Sequence, residues 1–478
     1  MTILEERGLF WWGDEPIPDR QFAPDSSVVG LLKIENDGRI SLELDGYLPN
    51  KHGPMSAMMQ AELPDDKTIL GILKGSNKHV LLSNLIGGGG QFTTSGMSYE
   101  RYIAVDCLIA DRTVPDFKNP PRFRKLEIPL DGFEEWLRLG AIKVVRSKRM
   151  ISANYKWPKE STYRCDNVKM SLAFDISGKA SARLFGDEFT IKETASIALQ
   201  FNAPSTLDYI KSQYLLLEDL FILLTDSDYP LDWPWVSSNK KARYRLYFLK
   251  LRTRNEAIAP KYHECCTNFI QLRDQFGSIW SRWKEKRETF GPGFYLYLGT
   301  RRRIKLYAEH RFVNLIWGIE AFHRKKHLAQ ASEALTRKIE RIIAQIQAPK
   351  DRKWLSKKLG NVGETPLGQR IFETFNAVPL GIEPERLRAF AEACAQRRND
   401  ISHFGGERHG FPYNDFIQDL ENKSSALSAL YHALLLHEIG IDEKIVKHWM
   451  YESFRSYLIK HYFVAGGHLD KSILAPKP

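Results

Sequence analysis

The sequence predicts an α+β protein, with a β-rich, sandwich- or barrel-like N-terminal domain followed by an all-helical C-terminal domain. In roughly the first 200 residues, short apolar runs alternate with polar residues and are separated by turn residues, which is typical of strands. From Arg302 onward, apolar residues recur at the three- and four-residue spacing of amphipathic helices. Hydrophobic residues make up 43% and charged residues 27% of the 478 residues, a globular composition. This length predicts more than one domain, each able to bury a core.

The segment Val28–Gly46 predicts the first β-hairpin. Ile40, Leu42 and Leu44 alternate with polar residues, so one face of this strand should be buried. The Asp-Gly pair that ends at Gly38 separates two β-forming runs, and such a turn needs a positive φ that glycine adopts at little cost. Local sequence alone therefore predicts two paired strands here.

Further strands are predicted along the first half of the chain, together with a short helix at Leu130–Leu139. The predicted strands lie in a second hairpin at Thr68–Ile86 and at Tyr102–Ala110, Val168–Ser177, Glu188–Phe201 and Arg243–Arg252. Many short strands separated by turns are typical of a sandwich or barrel. Gly87–Gly90 lacks the Lys and Ser/Thr of a Walker loop, so we expect a mobile loop there.

Helical periodicity begins after about residue 205 and dominates the C-terminal half. Leu207, Ile210, Tyr214 and Leu217 share one face of a predicted helix. Further helices are predicted at roughly 302–328, 331–347, 366–376, 383–402, 413–438 and 442–461. Gly291–Tyr297 indicates a boundary. We therefore predict a β-rich sensor or regulatory domain at 1–235, a connecting segment at 236–300 and a helical domain at 301–478.

The net charge of +11 comes from one part of the chain. Arg301–Lys358 contains sixteen Lys and Arg residues against five Asp and Glu residues, so the rest of the chain is neutral in sum. Such a stretch fits a nucleic-acid surface, and it equally fits a set of solvated helix faces. Charge alone does not decide between them.

Cysteine usage and hydropathy predict a cytoplasmic protein. Five scattered cysteines, one pair adjacent, do not form a disulfide framework, and the chain has no CxxC motif of a zinc ribbon. The N-terminus has Glu5 and Glu6 where a signal peptide needs an apolar core, and the longest apolar run is too short for a membrane span. His323 and His327 have helical metal-ligand spacing, but cations flank them and the Glu of H-E-x-x-H is missing. We therefore predict no metal and no cofactor.

The stretch Ala395–Arg408 holds the strongest candidate for chemistry. Arg398 continues the apolar stripe of its helix at i, i+4 from Cys394, and a buried guanidinium is costly unless it is paired or opens on a cleft. Asn399 and His403 are i, i+4, whereas Arg398 and His403 are i, i+5, about 140° apart on an ideal helix. Arg398 and His403 can converge only if the helix unwinds at Ser402 or if two copies meet.

Arg, Asn and His in this pattern suit RNA cleavage without a metal. RNA carries its own nucleophile, the 2′-hydroxyl, beside the scissile phosphate. Histidine offers a general acid or base near neutral pH, and arginine stabilises the charge of the phosphorane. Asparagine can orient the phosphate or the imidazole. Arg398, Asn399 and His403 are therefore candidate catalytic residues, although a helix end of this composition is also compatible with a purely structural role.

The pattern Arg398-Asn399-x-x-x-His403 at the end of a helix resembles the HEPN superfamily, whose signature is an Arg, four to six residues and a His. The helix Arg311–Lys326 resembles an early HEPN helix, with Glu320 at the acidic position. This resemblance implies a HEPN helical bundle that cleaves RNA and leaves a 2′,3′-cyclic phosphate. It implies a catalytic role for Arg398 and His403, with Asn399 as polar companion. Candidate supporting residues are Glu320, Asp400 and Arg397, and candidate RNA-binding residues are Arg324, Lys325 and Lys326.

The N-terminal half resembles the ApeA N-terminal domain. The resemblance rests on the opening segment through Pro49, on "FTIKETASIALQF" and on the helix that begins near Leu207. It implies bacterial anti-phage defence by abortive infection, in which a phage component triggers a toxin-like ribonuclease that the N-terminal domain holds in check. The implied partners are RNA, with tRNA as one candidate, and a second copy of the chain in a homodimer. Gly405 stands where some HEPN toxins carry a modified tyrosine, so we predict no nucleotidyltransferase partner.

Two alternatives remain open. The C-terminal domain can be a non-catalytic HEPN-like module that binds RNA or a protein, beside a β domain that recognises a phage component. The N-terminal half can be a carbohydrate-binding sandwich that uses Trp11, Trp12, Trp233 and Trp235 as stacking surfaces.

Overall fold

The computed structural model of the chain describes residues 2–49, 67–91, 93, 96–110, 121–165, 167–181, 188–238, 242–250, 257–302, 306–327, 333–359, 365–406 and 412–467. Contacts divide the chain into two compact units. The N-terminal unit comprises Met1–Glu218 and Tyr229–Pro260, and the C-terminal unit comprises Asp219–Asp228 and Lys261–Pro478. The domain boundaries at residues 235 and 300, which rest on the sequence alone, remain a prediction.

In the described residues, the N-terminal unit consists of antiparallel β-structure, the short helix α1 (Glu134–Leu137) and the beginning of a longer helix that starts at Leu207. Its strands are β1 (Thr2–Trp12), β2 (Val28–Glu35), β3 (Ile40–Leu44), β4 (Ile69–Leu73), β5 (His79–Gln91), β6 (Tyr99–Ala110), β7 (Arg122–Pro129), β8 (Ile142–Arg146), β9 (Ile151–Tyr155), β10 (Ser161–Cys165), β11 (Val168–Ser181), β12 (Glu188–Thr206), β13 (Trp235–Ser237) and β14 (Arg243–Phe248). The pair β8 and β9 forms a sheet of its own, and the others belong to one large sheet.

Six strands of the large sheet close into a barrel. Their order is β6-β3-β2-β1-β4-β5, and β5 pairs with β6 again, with every neighbouring pair antiparallel. The sheet continues from β6 through β14, β13, β7, β12, β11 and β10. Closure removes the free edges of the ring. The predicted α+β class with a barrel-like N-terminal region is confirmed.

The β2–β3 hairpin shows how the sequence builds this barrel. Gly38 has a φ of 85° in the turn, as the Asp-Gly pair predicted. Ile40, Leu42 and Leu44 are buried, and the residues between them are exposed. The buried side chains join an apolar cluster from the six barrel strands, which includes Phe10, Leu32, Ile34, Ile69, Leu73, Val80, Leu82, Tyr102 and Cys107.

The glycine run Gly87–Gly90 is part of strand β5 and pairs with β6, so the prediction of a mobile loop is wrong. Gly87 pairs with Tyr102 and Gly90 with Glu100, with a register shift between them. A Cβ at Gly90 would lie 2.7 Å from the carbonyl oxygen of Tyr99. Glycines here permit a close approach of β6, a role that the search for phosphate-loop patterns does not detect.

Most of the tryptophans behind the hypothesis of a carbohydrate-binding domain lie in the interior of the N-terminal unit. Trp11, Trp12 and Trp233 are buried. Trp235 is half-buried, and the guanidinium of Arg243 lies 4.4 Å from the centre of its ring. Three of the four rings therefore pack in the core instead of forming a stacking surface for a sugar.

The C-terminal unit is helical. Helix α2 (Leu207–Thr225) begins in the N-terminal unit, and its residues from Asp219 onward belong to the C-terminal unit. The following helices are α3 (Phe269–Leu272), α4 (Phe276–Phe290), α5 (Pro292–Arg301), α6 (Ala308–Lys326), α7 (Glu333–Ala344), α8 (Pro349–Leu359), α9 (Leu367–Asn376), α10 (Pro384–Phe404), α11 (Tyr413–Glu438), α12 (Glu443–Tyr451) and α13 (Ser456–Gly466). The predicted all-helical C-terminal region is confirmed.

Helix α11 forms the centre of this bundle. Its residues from Ala426 to Leu436 are buried, and it packs against α6 and α13. The segment predicted as one helix at 442–461 consists of α12 and α13. The predicted boundary at Gly291–Tyr297 contains the start of α5, because Pro292 occupies the first turn of that helix. The helix α10 carries the candidate catalytic residues.

Candidate active site

The candidate catalytic residues lie in the last two turns of α10. This helix begins at Pro384, whose fixed φ suits the first helical turn. It ends at Gly405, which has a φ of 70° and donates its N–H to the carbonyl oxygen of Ile401 at 3.2 Å. Because the helix continues through His403 to Phe404, the alternative in which it unwinds at Ser402 is wrong.

A continuous helix separates Arg398 from His403 within one copy of the chain. Five residues on a regular helix correspond to about 140° around the axis and about 7.5 Å along it. Asn399 and His403, four residues apart, lie on neighbouring parts of one face. One copy therefore presents Arg398 and His403 in different directions.

Arg398 is a half-buried guanidinium near a carboxylate. Its side chain is 26% exposed, and its Nη2 lies 4.0 Å from Oε2 of Glu320. Its Nη1 donates to Oδ1 of Asn399 at 3.3 Å. Its Nε is buried and finds no hydrogen-bond partner in the described part of the chain. The expectation that Arg398 continues the buried stripe thus agrees with its partial burial, and the residue keeps an unused donor.

Glu320 on α6 is the centre of a set of arginines. Arg370 on α9 donates to its Oε1 at 2.8 Å, and Arg324, one turn further along α6, lies 3.0 Å from the same atom. Together with Arg398, these four side chains carry three positive charges and one negative charge. We call this set the Glu320 cluster; its net charge is complementary to a phosphate.

Sequence reasoning did not identify Arg370 as part of the site. The residue is buried on α9, which otherwise turns Ile371, Phe372 and Phe375 towards the core. A single arginine on the apolar face of a short amphipathic helix is the signal that was present in the sequence. That pattern predicts a buried ion pair but does not identify Glu320 as the partner.

Arg397 and Asp400 belong to a second ion-pair network, on a different face of α10. Arg397 donates through Nε to Asp419 of α11 at 2.6 Å and through Nη1 to Asp400 at 3.3 Å. Lys423 also binds Asp419. Burial alone would raise the pKa of Asp419, but the hydrogen bonds from Lys423 and Arg397 outweigh it and hold that pKa below its usual value. Among the predicted supporting residues, Glu320 lies beside Arg398, whereas Arg397 ties α10 to α11 through Asp419 and also binds Asp400.

His403 is exposed on the last turn of α10. In the described ranges of the chain, no side chain forms a hydrogen bond or ion pair with it. An exposed imidazole can exchange protons with a bound substrate, which a general acid or base requires. Asn399 is half-buried and is held by its contact with Arg398.

The three candidate RNA-binding residues at the end of α6 differ in their ion pairs. Arg324 is 56% exposed beside Glu320. Lys325 is exposed, and Lys326 forms an ion pair with Glu438. Lys325 can therefore meet a polyanion directly, whereas Arg324 and Lys326 each also pair with a carboxylate, Glu320 and Glu438 respectively.

The two histidines on α6, His323 and His327, lie near a carboxylate that binds the first of them. His323 is buried, and its Nε2 lies 2.8 Å from Glu373, while the rings of His323 and His327 are 4.4 Å apart. Burial lowers the pKa of His323, and together with the nearby His327 it outweighs the hydrogen bond to Glu373, which alone would raise that pKa. Over the described residues, no group of three or more His, Cys, Asp or Glu side chains is arranged to hold a metal ion.

Comparisons with known proteins agree with these two units. Residues 5–283 match the family model "ApeA N-terminal domain 1", and residues 313–445 match the model "Apea-like HEPN". No curated protein and no solved structure matches the chain. In the parts of the chain that the structure describes, no helix is long and apolar enough to cross a membrane.

The HEPN match runs from within α6 to the start of α12 and therefore includes Glu320, Arg398, Asn399 and His403. The combination of the two domains indicates a role in anti-phage defence. Since the N-terminal model covers more than half of the chain, the protein belongs to the ApeA family, with an ApeA N-terminal domain joined to an ApeA-like HEPN domain.

Proposed function

We propose that this protein is a metal-independent endoribonuclease that acts in anti-phage defence, with its active site at the end of α10. The observation that carries the proposal is the placement of Arg398, with an unused Nε donor, in the net positive Glu320 cluster, while an exposed His403 follows on the same helix. A guanidinium with a free donor suits a phosphate, and an accessible imidazole suits proton transfer. The HEPN family is usually associated with RNA cleavage, which supports this choice.

The reaction proceeds by attack of the ribose 2′-hydroxyl on the adjacent phosphorus. A neutral His403 accepts the 2′-hydroxyl proton as the new O–P bond forms, and the bond between phosphorus and the 5′-oxygen breaks. The departing 5′-oxygen takes a proton from the protonated imidazole of a His403 side chain. The products are a 2′,3′-cyclic phosphate and a 5′-hydroxyl, and no water is consumed. Arg398 stabilises the additional negative charge of the phosphorane, and Asn399 orients Arg398.

The geometry favours a site shared between two copies. Arg398 and His403 diverge on one helix, so a single copy does not direct both at one phosphate. A twofold axis near the end of α10 would bring Arg398 of one copy towards His403 of the other, and such self-complementary dimers are the commonest oligomers. We therefore propose a homodimer formed through the HEPN domain.

The N-terminal domain is proposed to control this activity. It is a separate compact unit with its own closed barrel, which suits a sensor that responds to a phage component. The substrate class is RNA, with tRNA as a candidate.

The non-catalytic alternative also has support in the structure. Helix α8 exposes Lys350, Arg352, Lys353 and Trp354, a combination of cations and an aromatic ring that suits single-stranded RNA. A protein that only binds RNA would use this surface and would not need His403. Full phage protection by the double variant Arg398→Ala/His403→Ala would favour this alternative.

Purified protein incubated with RNA in EDTA tests the proposed reaction. The wild type should release fragments with 2′,3′-cyclic phosphate ends, and His403→Ala should reduce the rate at least about 100-fold, the usual contribution of a general acid or base. His448→Ala is the matched control, because His448 is also an exposed histidine on a helix of the same unit. Loss of cleavage in EDTA, or full activity of His403→Ala, would overturn the mechanism.

A further inference from the structure

A cavity in the C-terminal unit has no part in the proposed cleavage site. Its volume is about 180 Å³, and its charged lining consists of Arg301, Arg311, Arg455 and Asp226, with His432 beside them. The lining comes from the end of α2 and from α5, α6, α11, α12 and α13. Three guanidiniums therefore share one cavity with one carboxylate.

Asp226 is already fully engaged by two of these arginines. Arg301 and Arg455 each donate to a different oxygen of its carboxylate. Burial alone would raise the pKa of Asp226, but the positive charges of Arg301 and Arg455 hold it below its usual value. The carboxylate is therefore ionised at neutral pH and compensates one of the three positive charges.

His432 adds no charge at neutral pH. Its Nε2 lies 2.9 Å from the carbonyl oxygen of Leu223 and therefore carries the proton, while its Nδ1 accepts from the hydroxyl of Tyr297 at 2.7 Å. These two contacts fix the neutral tautomer. Burial, the largest influence, lowers the pKa of His432 to about 4. The charged groups that line the cavity thus sum to two positive charges.

The remaining donors of the cavity suit an anionic ligand. Nη2 of Arg311 has only a long contact of 3.4 Å to the hydroxyl of Ser428, and the structure describes no ion pair for this residue. The Nε of Arg301 is buried and has no hydrogen-bond partner among the described residues. Burial and the charge of Arg301 lower the pKa of Arg311, and they outweigh the opposing effect of the carboxylate of Glu421. An anion in the cavity would relieve this repulsion.

We propose that this cavity binds a small phosphate-bearing anion, either free phosphate or a phosphate monoester. Guanidiniums offer paired donors that match phosphate oxygens, and a dianionic phosphate would balance the two excess charges. The hydroxyls of Ser425, Ser428 and Tyr462 line the same cavity and can complete the hydrogen bonds. A volume of 180 Å³ is below the range of about 300–1,000 Å³ for drug-sized ligands, which suits one phosphate group and not a strand of RNA.

Titration calorimetry of the full chain with sodium phosphate tests the proposal, with sodium chloride at equal ionic strength as reference. We expect saturable binding of phosphate by the wild type and at least tenfold weaker binding by Arg311→Gln. If the cavity accepts a phosphate monoester, adenosine 5′-monophosphate should bind as well as inorganic phosphate. If it accepts only the free ion, inorganic phosphate should bind and adenosine 5′-monophosphate should not. Unphosphorylated adenosine should not bind in either case.

Arg311 can be replaced with little expected effect on folding. Because the only hydrogen bond of Arg311 among the described residues is the long contact to Ser428, its replacement should leave the bundle folded, which circular dichroism checks. Arg386→Gln is the control, since Arg386 is an arginine of the same unit whose side chain is 41% exposed and which does not line the cavity. Absence of saturable phosphate binding by the wild type, or equal binding by Arg311→Gln, would overturn the proposal. Neither result bears on RNA cleavage, so the two proposals fail separately.

Discussion

Arg370 donates a hydrogen bond to Glu320 at 2.8 Å, and the opposite oxygen of the same carboxylate lies 4.0 Å from Arg398. Three helices, α6, α9 and α10, therefore meet at one acidic side chain. Glu320 is a positioning residue in this arrangement: it draws Arg398 inward while Arg370 compensates the charge of its carboxylate. The same carboxylate links the stability of the bundle to the geometry of the candidate active site.

Replacing Arg370 with methionine should destabilise the protein by ~3 kcal/mol, because it removes one partner of a largely buried ion pair. Arg324→Met is the matched control: the same carboxylate loses a partner whose side chain is 56% exposed, and the expected loss is below about 1 kcal/mol. Urea denaturation of the full chain measures both values. Equal losses for the two variants would contradict the central position of Arg370.

Mixing two inactive variants tests whether the active site is shared. Arg398→Ala and His403→Ala should each be inactive alone. A heterodimer of the two retains one site with an intact arginine and an intact histidine, so an equal mixture should recover roughly a quarter of the wild-type rate. The measurement is RNA cleavage after co-expression or subunit exchange. A mixture as inactive as its components would argue for a site within one copy.

The stability of the C-terminal unit should fall as the pH drops from about 6.5 to about 4. Burial lowers the pKa of His432 to about 4, so in this window the unfolded chain binds a proton that the folded chain does not. At about 1.4 kcal/mol per pH unit, the loss by pH 4 approaches ~3 kcal/mol. Above pH 6.5 this group has no effect on stability.

His432→Gln isolates that contribution, because the amide of glutamine offers both donors and an acceptor and does not titrate. Urea midpoints at pH 7, 6, 5 and 4.5 should decline less steeply for the variant than for the wild type. Parallel declines would show that His432 is not the buried, neutral group described here.

The turn at Gly38 supplies a test of the barrel. A Cβ at this position would lie 1.9 Å from the carbonyl oxygen of Phe248, and φ is already positive, so Gly38→Ala should cost more than about 1 kcal/mol. Gly140→Ala is the control, since a Cβ there meets nothing within 4 Å, and we expect a change within about 0.5 kcal/mol. Thermal unfolding compares the two. A stable Gly38→Ala protein would contradict the close approach of the hairpin to Phe248.

Features encoded by neighbouring residues could be predicted from the sequence. The Asp-Gly turn and the alternation at Ile40, Leu42 and Leu44 are local signals, and the β2–β3 hairpin agrees with both. The helix that ends at Gly405 was likewise predicted to within two residues, because the apolar periodicity and the glycine lie in one short segment. The partial burial of Arg398 followed from the same periodicity.

Features that depend on distant residues could not be predicted in this way. Closure of the barrel requires β5 to pair with β6 across the run Gly87–Gly90, and nothing in that run identifies its partner. Arg370 and Glu320 are fifty residues apart, and Asp226 and Arg455 are 229 residues apart. Periodicity shows that such charged groups lie near a core, but only the packed helices show which of them meet.

Sequencing of RNA ends in bacterial cells tests the central claim most directly. Cells that express the wild type or His403→Ala are compared with and without phage infection, and His448→Ala serves as the control for an exposed histidine. We predict new 5′-hydroxyl and 2′,3′-cyclic phosphate ends after infection in cells with the wild type and with His448→Ala, and none with His403→Ala. The same RNA ends at the same abundance in cells with His403→Ala would contradict the assignment of the active site to the end of α10.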